Sequence, residues 1–171
     1  MSNNLVSRAM LFAQEKHFAQ RRDYSGAHYI THLAEVAALT HAFGGDDLAV
    51  AGAWLHDCIE DQGVTRLELV EHFGEEVATI VFTLSDMETG NRVERLHKSC
   101  IRLAAGCARV HLIKTCDIIS NARSIAHENP DFAPKYLSEK VTQLNYLSKS
   151  PTQAVSHARL IIRQSIDVVI A

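Results

Sequence analysis

Four side chains that can bind a metal ion or carry a proton lie within six positions of the chain: His56, Asp57, Glu60 and Asp61. They follow an apolar run in the segment AWLHDCIED, residues 53 to 61. Successive residues of a helix are about 100° apart, so His56 and Asp57 can reach one point beside it. Glu60 and Asp61 come one turn later, beside the same point. The alternative interpretation is a solvated helix end, where such residues are ordinary.

Two more polar residues lie in apolar surroundings elsewhere in the chain. His32 is in the middle of YITHLAEVA, and Asp117 is in VHLIKTCDII. A buried aspartate costs several kcal/mol unless it is paired, hydrogen-bonded or bound to a metal. With the His-Asp doublet, these residues give the composition of a site with two histidines and two aspartates. Mixed imidazole and carboxylate ligands suit Mn, Fe, Co or Zn.

The elements that must position these groups are all predicted to be helices. Apolar residues recur at three- and four-residue spacing, and no stretch alternates strongly enough to predict a strand. An N-terminal asparagine and Asp46 are predicted helix caps, and Thr65 with Glu68 forms a predicted capping box. We therefore predict an all-α fold of about eight or nine helices. The predicted ranges are residues 4–20, 30–43, 46–61, 65–74, 75–85, 92–105, 108–127, 132–149 and 152–170.

The composition excludes several classes of protein. The chain has 171 residues, which is enough for one domain with a real core. A net charge of −3 argues against a surface that binds nucleic acid, but it allows a local pocket for one nucleotide. No stretch reaches the ~18 apolar residues of a membrane span, and no signal-peptide core opens the chain. None of the four cysteines forms a C-x-x-C pair, so we expect a cytoplasmic protein with reduced thiols.

Longer segments resemble the HD-domain phosphohydrolases of the Rel/Spo alarmone family. HDCIED is similar to the H-D-x-x-E-D signature of that family, and QRRDYSGAHYITHLAEVA is similar to its arginine-rich loop and first metal histidine. AWLHDCIEDQGVTRLELVEHFGEEVATIV resembles the signature helix and the segments after it. HLIKTCDIISNARSI resembles the K-x-x-D-x-x-x-N-x-R segment, with Ser120 where many members have histidine. The set lies in order across residues 9 to 126 and is specific, whereas an isolated H-D is not.

This resemblance implies a fold, a cofactor and an activity. The fold is an all-helical HD bundle, with residues 1–171 forming a single HD domain. The cofactor is one divalent metal ion, most often Mn²⁺. The activity is hydrolysis of the 3′-pyrophosphate of guanosine tetra- or pentaphosphate, (p)ppGpp. The implied residues are His32, His56, Asp57 and Asp117 as metal ligands, Glu60 and Asp61 at the attacking water, and Arg21, Asn121 and Ser124 at the nucleotide.

Two alternative functions stay open from the sequence. One is a phosphatase of another nucleotide, such as an enzyme that removes the 2′-phosphate of NADPH. The other is a nucleotide-sensing module without turnover, although such a module need not retain buried charges. In each case the expected partner is a small nucleotide rather than nucleic acid or a membrane. The candidate cations for its phosphates are Arg21, Arg22, Lys98 and Lys114. The sequence does not predict an oligomeric state.

Overall fold

The computed structural model describes residues 5–23 and 25–170. In these ranges every regular element is an α-helix, apart from an isolated antiparallel bridge between Arg21 and His28. The predicted all-α fold class is therefore confirmed. The asparagine predicted to cap the first helix lies outside the described residues. The helices within them are α1 Leu5–Lys16, α2 Ile30–Ala42, α3 Asp47–Leu55, α4 Cys58–Gln62, α5 Arg66–Phe73, α6 Glu75–Leu84, α7 Arg92–Ala105, α8 Ala108–Glu128, α9 Ala133–Leu144 and α10 Thr152–Ile170.

The caps of these helices agree with the sequence in part. The Asp46 carboxylate accepts a hydrogen bond from the Ala49 amide at 3.0 Å, as predicted for an N-cap. The Thr65 hydroxyl accepts from the Glu68 amide at 3.1 Å, but the Glu68 carboxylate pairs with Lys16 at 2.8 Å. A complete capping box forms instead at the start of α7, between Asn91 and Glu94.

The predicted helix over residues 46–61 is wrong in one respect, because it is broken at the His-Asp doublet. Helix α3 ends at Leu55, and α4 begins at Cys58. Asp57, between them, has φ −102° and ψ 0°. Helix α4 is five residues long and is capped at its C-terminus by Gly63, whose left-handed conformation (φ 64°) favours glycine. His56 and Asp57 therefore lie at a junction between two helices rather than on the side of one.

Helix α8 crosses the core, and α3 packs closely against it. Both helices are largely buried, and α3 consists mainly of small apolar residues. A Cβ atom added to Gly52 in α3 would lie 2.8 Å from Cγ2 of Ile80 and 3.1 Å from Cδ1 of Ile113. Glycine therefore lets α3 approach α6 and α8. Gly52 is one turn before His56, and Ile113 is one turn before Asp117, so this contact sets how closely the two ligand-bearing segments approach.

Helix α1 ends four residues earlier than predicted. After Lys16 the chain turns, and the Gln20 amide donates to the His17 carbonyl at 3.0 Å. The loop that follows returns to the start of α2, where the Tyr29 amide donates to the Gln20 carbonyl at 3.0 Å. These bonds hold the two ends of the loop together. Among the helices within the described residues, none has the length and apolar character needed to cross a membrane.

Candidate metal centre and adjoining cavity

Three side chains of metal-ligand type converge where α2 meets the α3–α4 junction. One ligand atom from each of His32, His56 and Asp57 lies within 4.8 Å of the other two. Nε2 of His56 is 3.1 Å from Oδ2 of Asp57, and Nε2 of His32 is 3.7 Å from the same oxygen. The structure therefore brings together three predicted ligands that are up to 25 positions apart in the sequence.

Asp117 reaches the same point from α8. Its Oδ1 is 3.4 Å from Nε2 of His32 and 3.8 Å from Nε2 of His56, although it lies outside the tighter group of three. His32, His56 and Asp117 have exposed fractions of only 2%, 3% and 5%. The four residues that the sequence predicts as ligands therefore share one largely buried site on α2, α8 and the α3–α4 junction.

Hydrogen bonds fix which nitrogen of each imidazole faces this point. Nδ1 of His56 donates to the Ala53 carbonyl at 2.7 Å, because a carbonyl oxygen can only accept. The Ser120 hydroxyl donates to the Glu35 carboxylate at 2.7 Å, so its oxygen accepts from Nδ1 of His32 at 2.9 Å. Because Nδ1 is the donor in each of these bonds, Nε2 is the nitrogen that faces the site, and its lone pair is available to a metal when the ring is neutral.

The site fits a divalent cation. Nε2 of His56 is buried and has no hydrogen-bond partner among the described residues. Burial alone would lower the pKa of His56, but Asp57 and Asp117 outweigh it and raise the pKa to about 9. A pKa raised in this way means that the surrounding carboxylates favour positive charge at the buried ring. A bound cation would satisfy both the unpartnered nitrogen and this excess of negative charge.

Neighbouring side chains orient the two carboxylates. The Tyr29 hydroxyl donates to Oδ2 of Asp57 at 2.7 Å. Asp117 accepts from Lys114 Nζ at 2.8 Å and from Asn121 Nδ2 at 2.6 Å. Burial would raise the pKa of Asp117, but Lys114 and the histidines hold it well below its usual value. Lys114 is one of the candidate cations, whereas Tyr29 has no predicted role, because the position of a tyrosine in a loop does not identify its hydrogen-bond partner.

Glu60 and Asp61 lie beside the four candidate ligands and are held by different partners. Oε2 of Glu60 accepts from the Asp86 amide at 2.8 Å, and burial raises the pKa of the Glu60 carboxyl. Oδ2 of Asp61 accepts from Gln20 Nε2 at 2.8 Å. Neither carboxylate is paired with a lysine or arginine in the described ion pairs. Each retains an oxygen that can accept another hydrogen bond.

A cavity of about 350 Å³ adjoins the four candidate ligands. Tyr29, Asp61 and Asn121 line it, and all three also belong to the surroundings of the metal centre. Its other lining residues are Gln20, Arg22, Asp23, Ser124, Ile125, Glu128, Phe132 and Tyr136. A cavity with aromatic rings and an arginine has the chemistry to hold the base and sugar of a nucleotide.

Arg22, rather than Arg21, joins the other two predicted nucleotide residues. Its Nη2 donates to Oδ1 of Asn121 and to Oγ of Ser124, both at 3.1 Å. Arg21 is exposed and lies outside the cavity lining, and its backbone forms the bridge with His28. The sequence could not separate two adjacent arginines in a loop without periodicity, so the role of Arg21 at the base stays a prediction.

Comparison with known proteins identifies the family. The sequence profile of the HD domain matches residues 9–144 of the chain. The chain belongs to the HD-domain family. The matched residues include all four predicted metal ligands and the whole lining of the cavity.

Individual relatives of this HD domain include enzymes with a named substrate. Over 130 residues it is 35% identical to guanosine-3′,5′-bis(diphosphate) 3′-pyrophosphohydrolase MESH1 of Xenopus tropicalis, with 74% of this chain and 73% of that protein covered. It is 31% identical over 134 residues to a probable guanosine-3′,5′-bis(diphosphate) 3′-pyrophosphohydrolase of Synechocystis, covering 74% of this chain but 17% of that longer protein. The HD domain also superposes on a metazoan ortholog of SpoT that hydrolyzes ppGpp, with a TM-score of 0.86 and 22% identity over 96% of this chain and 97% of that one. At 22% identity, the superposition on this ortholog shows that the two proteins share a fold.

Proposed function

We propose that this HD domain is a metal-dependent hydrolase that removes the 3′-pyrophosphate of (p)ppGpp and releases GDP or GTP. The observation that carries the proposal is the convergence of His32, His56, Asp57 and Asp117 beside a cavity of nucleotide size. The relative from Xenopus tropicalis supports the choice of substrate, since it is similar over about three quarters of both chains. The proposed setting is the cytoplasm, where such an activity would lower the (p)ppGpp concentration and end a stringent response.

The four ligands would hold one divalent ion, for which we propose Mn²⁺. Such an ion lowers the pKa of a bound water and screens phosphate oxygens from an incoming nucleophile. Glu60 would take the proton of the attacking water. Its raised pKa makes it a stronger proton acceptor than an ordinary glutamate. Asp61, at the edge of the cavity, would orient that water. Addition of water at phosphorus and cleavage of the bond to the ribose 3′-oxygen yield pyrophosphate.

The function is tested with a panel of nucleotides. Protein loaded with Mn²⁺ is incubated with ppGpp, pppGpp, NADPH and deoxynucleotides, and the products are identified by chromatography and mass spectrometry. We expect pyrophosphate with GDP from ppGpp, and with GTP from pppGpp. Release of phosphate from NADPH alone would replace the proposal with a phosphatase of another nucleotide. Tight binding of a nucleotide without any product would indicate a sensing module.

A first prediction concerns the residue that orients a ligand histidine. Ser120→Ala removes the oxygen that accepts from Nδ1 of His32, so the ring is no longer held with Nε2 toward the site. We expect the affinity for Mn²⁺ to fall about 10- to 100-fold. The measurement is competition with a fluorescent chelator. Ser124→Ala is the matched control, since Ser124 contacts Arg22 rather than His32, and its affinity for Mn²⁺ should equal that of the wild type. Equal affinities in both variants would contradict the role of Ser120.

A second prediction separates the two arginines. We expect Arg22→Ala to raise KM for ppGpp roughly tenfold while kcat changes less, because a charged hydrogen-bond donor is lost from the nucleotide cavity. Arg21→Ala changes the same residue type one position earlier and outside that lining, so its KM should change less. The measurement is KM and kcat for ppGpp in both variants, obtained by steady-state kinetics. A larger KM effect in Arg21→Ala would restore the assignment made from the sequence.

A further inference from the structure

A row of polar side chains runs from the interior of the protein to the Asp61 carboxylate. It starts at Cys58 in α4, whose Sγ lies 3.5 Å from Nε2 of His17. Nδ1 of His17 is hydrogen-bonded to Oε1 of Gln20, in the turn after α1. Nε2 of Gln20 then donates to Oδ2 of Asp61 at 2.8 Å. The row therefore links a fully buried histidine to a carboxylate at the cavity.

The hydrogen-bond chemistry of these groups fixes the orientation of the Gln20 amide. An amide oxygen can only accept, so Nδ1 of His17 donates to Gln20, and Nε2 of His17 accepts from the Cys58 thiol. Burial lowers the pKa of His17, so its ring is neutral near pH 7, with one nitrogen donating and the other accepting. Gln62 donates to the same oxygen of Gln20. With its oxygen held by two donors, the nitrogen of Gln20 must face Asp61.

His17 also supports a second residue of the site. Its ring stacks on that of Tyr29, with centroids 5.3 Å apart and planes 13° apart. The Tyr29 hydroxyl in turn donates to Asp57 at 2.7 Å. Backbone hydrogen bonds join His17 to Gln20 and Gln20 to Tyr29. These bonds fix the relative positions of the backbone atoms that carry the three side chains. One buried histidine thus orients contacts to both Asp57 and Asp61.

We infer that His17 and Gln20 are positioning residues that hold the Asp61 carboxylate in one orientation beside the cavity. The inference rests on the proposed function, in which Asp61 orients the attacking water. A carboxylate that can rotate freely spends less time in the reactive geometry, so loss of its hydrogen-bond partner lowers the rate of the chemical step. A positioning role predicts a loss in kcat, whereas direct contact with the nucleotide predicts a rise in KM.

The test uses Gln20→Leu in the full chain loaded with Mn²⁺. Leucine is similar in size to glutamine but cannot donate to Asp61. We expect kcat for ppGpp to fall about 10- to 100-fold, the range for loss of a residue that orients a reacting group. KM, Mn²⁺ content and Tm should stay at the wild-type values. Gln14→Leu is the matched control, because Gln14 is an exposed residue of α1 outside the cavity lining. Its kcat should stay near that of the wild type.

A double-mutant cycle shows whether Gln20 acts through Asp61. Asp61→Ala alone should be slow, and Asp61→Ala with Gln20→Leu should be no slower, because Gln20 then has no side-chain acceptor at position 61 to orient. If the fold-loss in kcat of the double variant equals the product of the losses in the two single variants, the inference is overturned. A raised KM with an unchanged kcat in Gln20→Leu would also overturn it, since Gln20 would then be a nucleotide contact.

A crystal structure of Gln20→Leu separates the inference from the proposed function. If the wild type hydrolyses none of the nucleotides, the proposed function fails, but the orientation of Asp61 can still be observed. An Asp61 side chain in a new rotamer, or in several, supports the positioning role. An Asp61 side chain that keeps its place without Gln20 overturns the role.

Discussion

Replacing Glu60 by glutamine is expected to abolish most turnover of ppGpp while leaving the metal in place. Glutamine keeps the size of the side chain but cannot accept a proton, so the variant loses its base. The expected loss in kcat is about 10²- to 10⁴-fold, the usual contribution of general acid–base catalysis. Because Glu60 lies beside the four ligands and is bound to the Asp86 amide, the content of Mn²⁺ and the KM for ppGpp should be retained.

The outcome for Glu60 is measured by single-turnover kinetics together with elemental analysis. Glu68→Gln is the control, since Glu68 lies on α5 and pairs with Lys16 away from the cavity. A near wild-type rate in Glu60→Gln would mean that Glu60 is only a solvated carboxylate near the end of α4. Loss of Mn²⁺ from the variant would mean that Glu60 is itself a ligand, and the division of labour between the doublet and Glu60 would be wrong.

Asp57→Asn should fail in a different way, through loss of the metal itself. An amide is a weaker ligand than a carboxylate and brings no charge to balance the cation. We expect the Mn²⁺ content to fall far below one ion per chain, with ppGpp hydrolysis below detection. In the wild type, Mn²⁺ at about 100 times its Kd should raise Tm by roughly 5 to 10 °C, because only the native state binds it. This increase should be absent in Asp57→Asn.

The control for Asp57 is Asp47→Asn, at the opposite end of α3, where the carboxylate is exposed. Its metal content and its increase in Tm should match those of the wild type. The measurements are elemental analysis after Mn²⁺ loading and thermal unfolding with and without the ion. A folded Asp57→Asn protein that still binds one Mn²⁺ per chain would contradict the assigned ligand set.

The fold class was predictable because the helices of this chain are amphipathic or buried and are separated by clear stops. Residue type singled out His32 and Asp117, since polar groups in apolar segments need a partner, and the family resemblance then assigned all four candidate ligands. The break between α3 and α4 could not be predicted, because the apolar pattern of the sequence continues through it. Asp57, at this break, accepts a hydrogen bond from Tyr29, a residue 28 positions away, and a local pattern does not predict such a contact.

The hydrogen bonds around the candidate ligands could not be predicted from the sequence either. The bond from Ser120 to His32 joins residues 88 positions apart, and that from Gln20 to Asp61 joins residues 41 apart. Nothing in the local pattern of a serine or a glutamine predicts such a partner. For the two adjacent arginines, a resemblance could locate the loop but could not decide which side chain enters the cavity. That choice depends on the backbone path between α1 and α2.

The close packing at Gly52 links the hydrophobic core to the geometry of the proposed metal site. A Cβ atom there would meet Ile80 at 2.8 Å, so a side chain at this position would force α3 away from α6 and α8. His56 and Asp117, each one turn beyond the contact, would then move apart. Ions that demand short, regular bonds would tolerate this less well than ions with a flexible coordination shell. Metal preference in this protein is therefore open to change by residues that carry no ligand atom, and engineering of that preference can begin in its apolar interior.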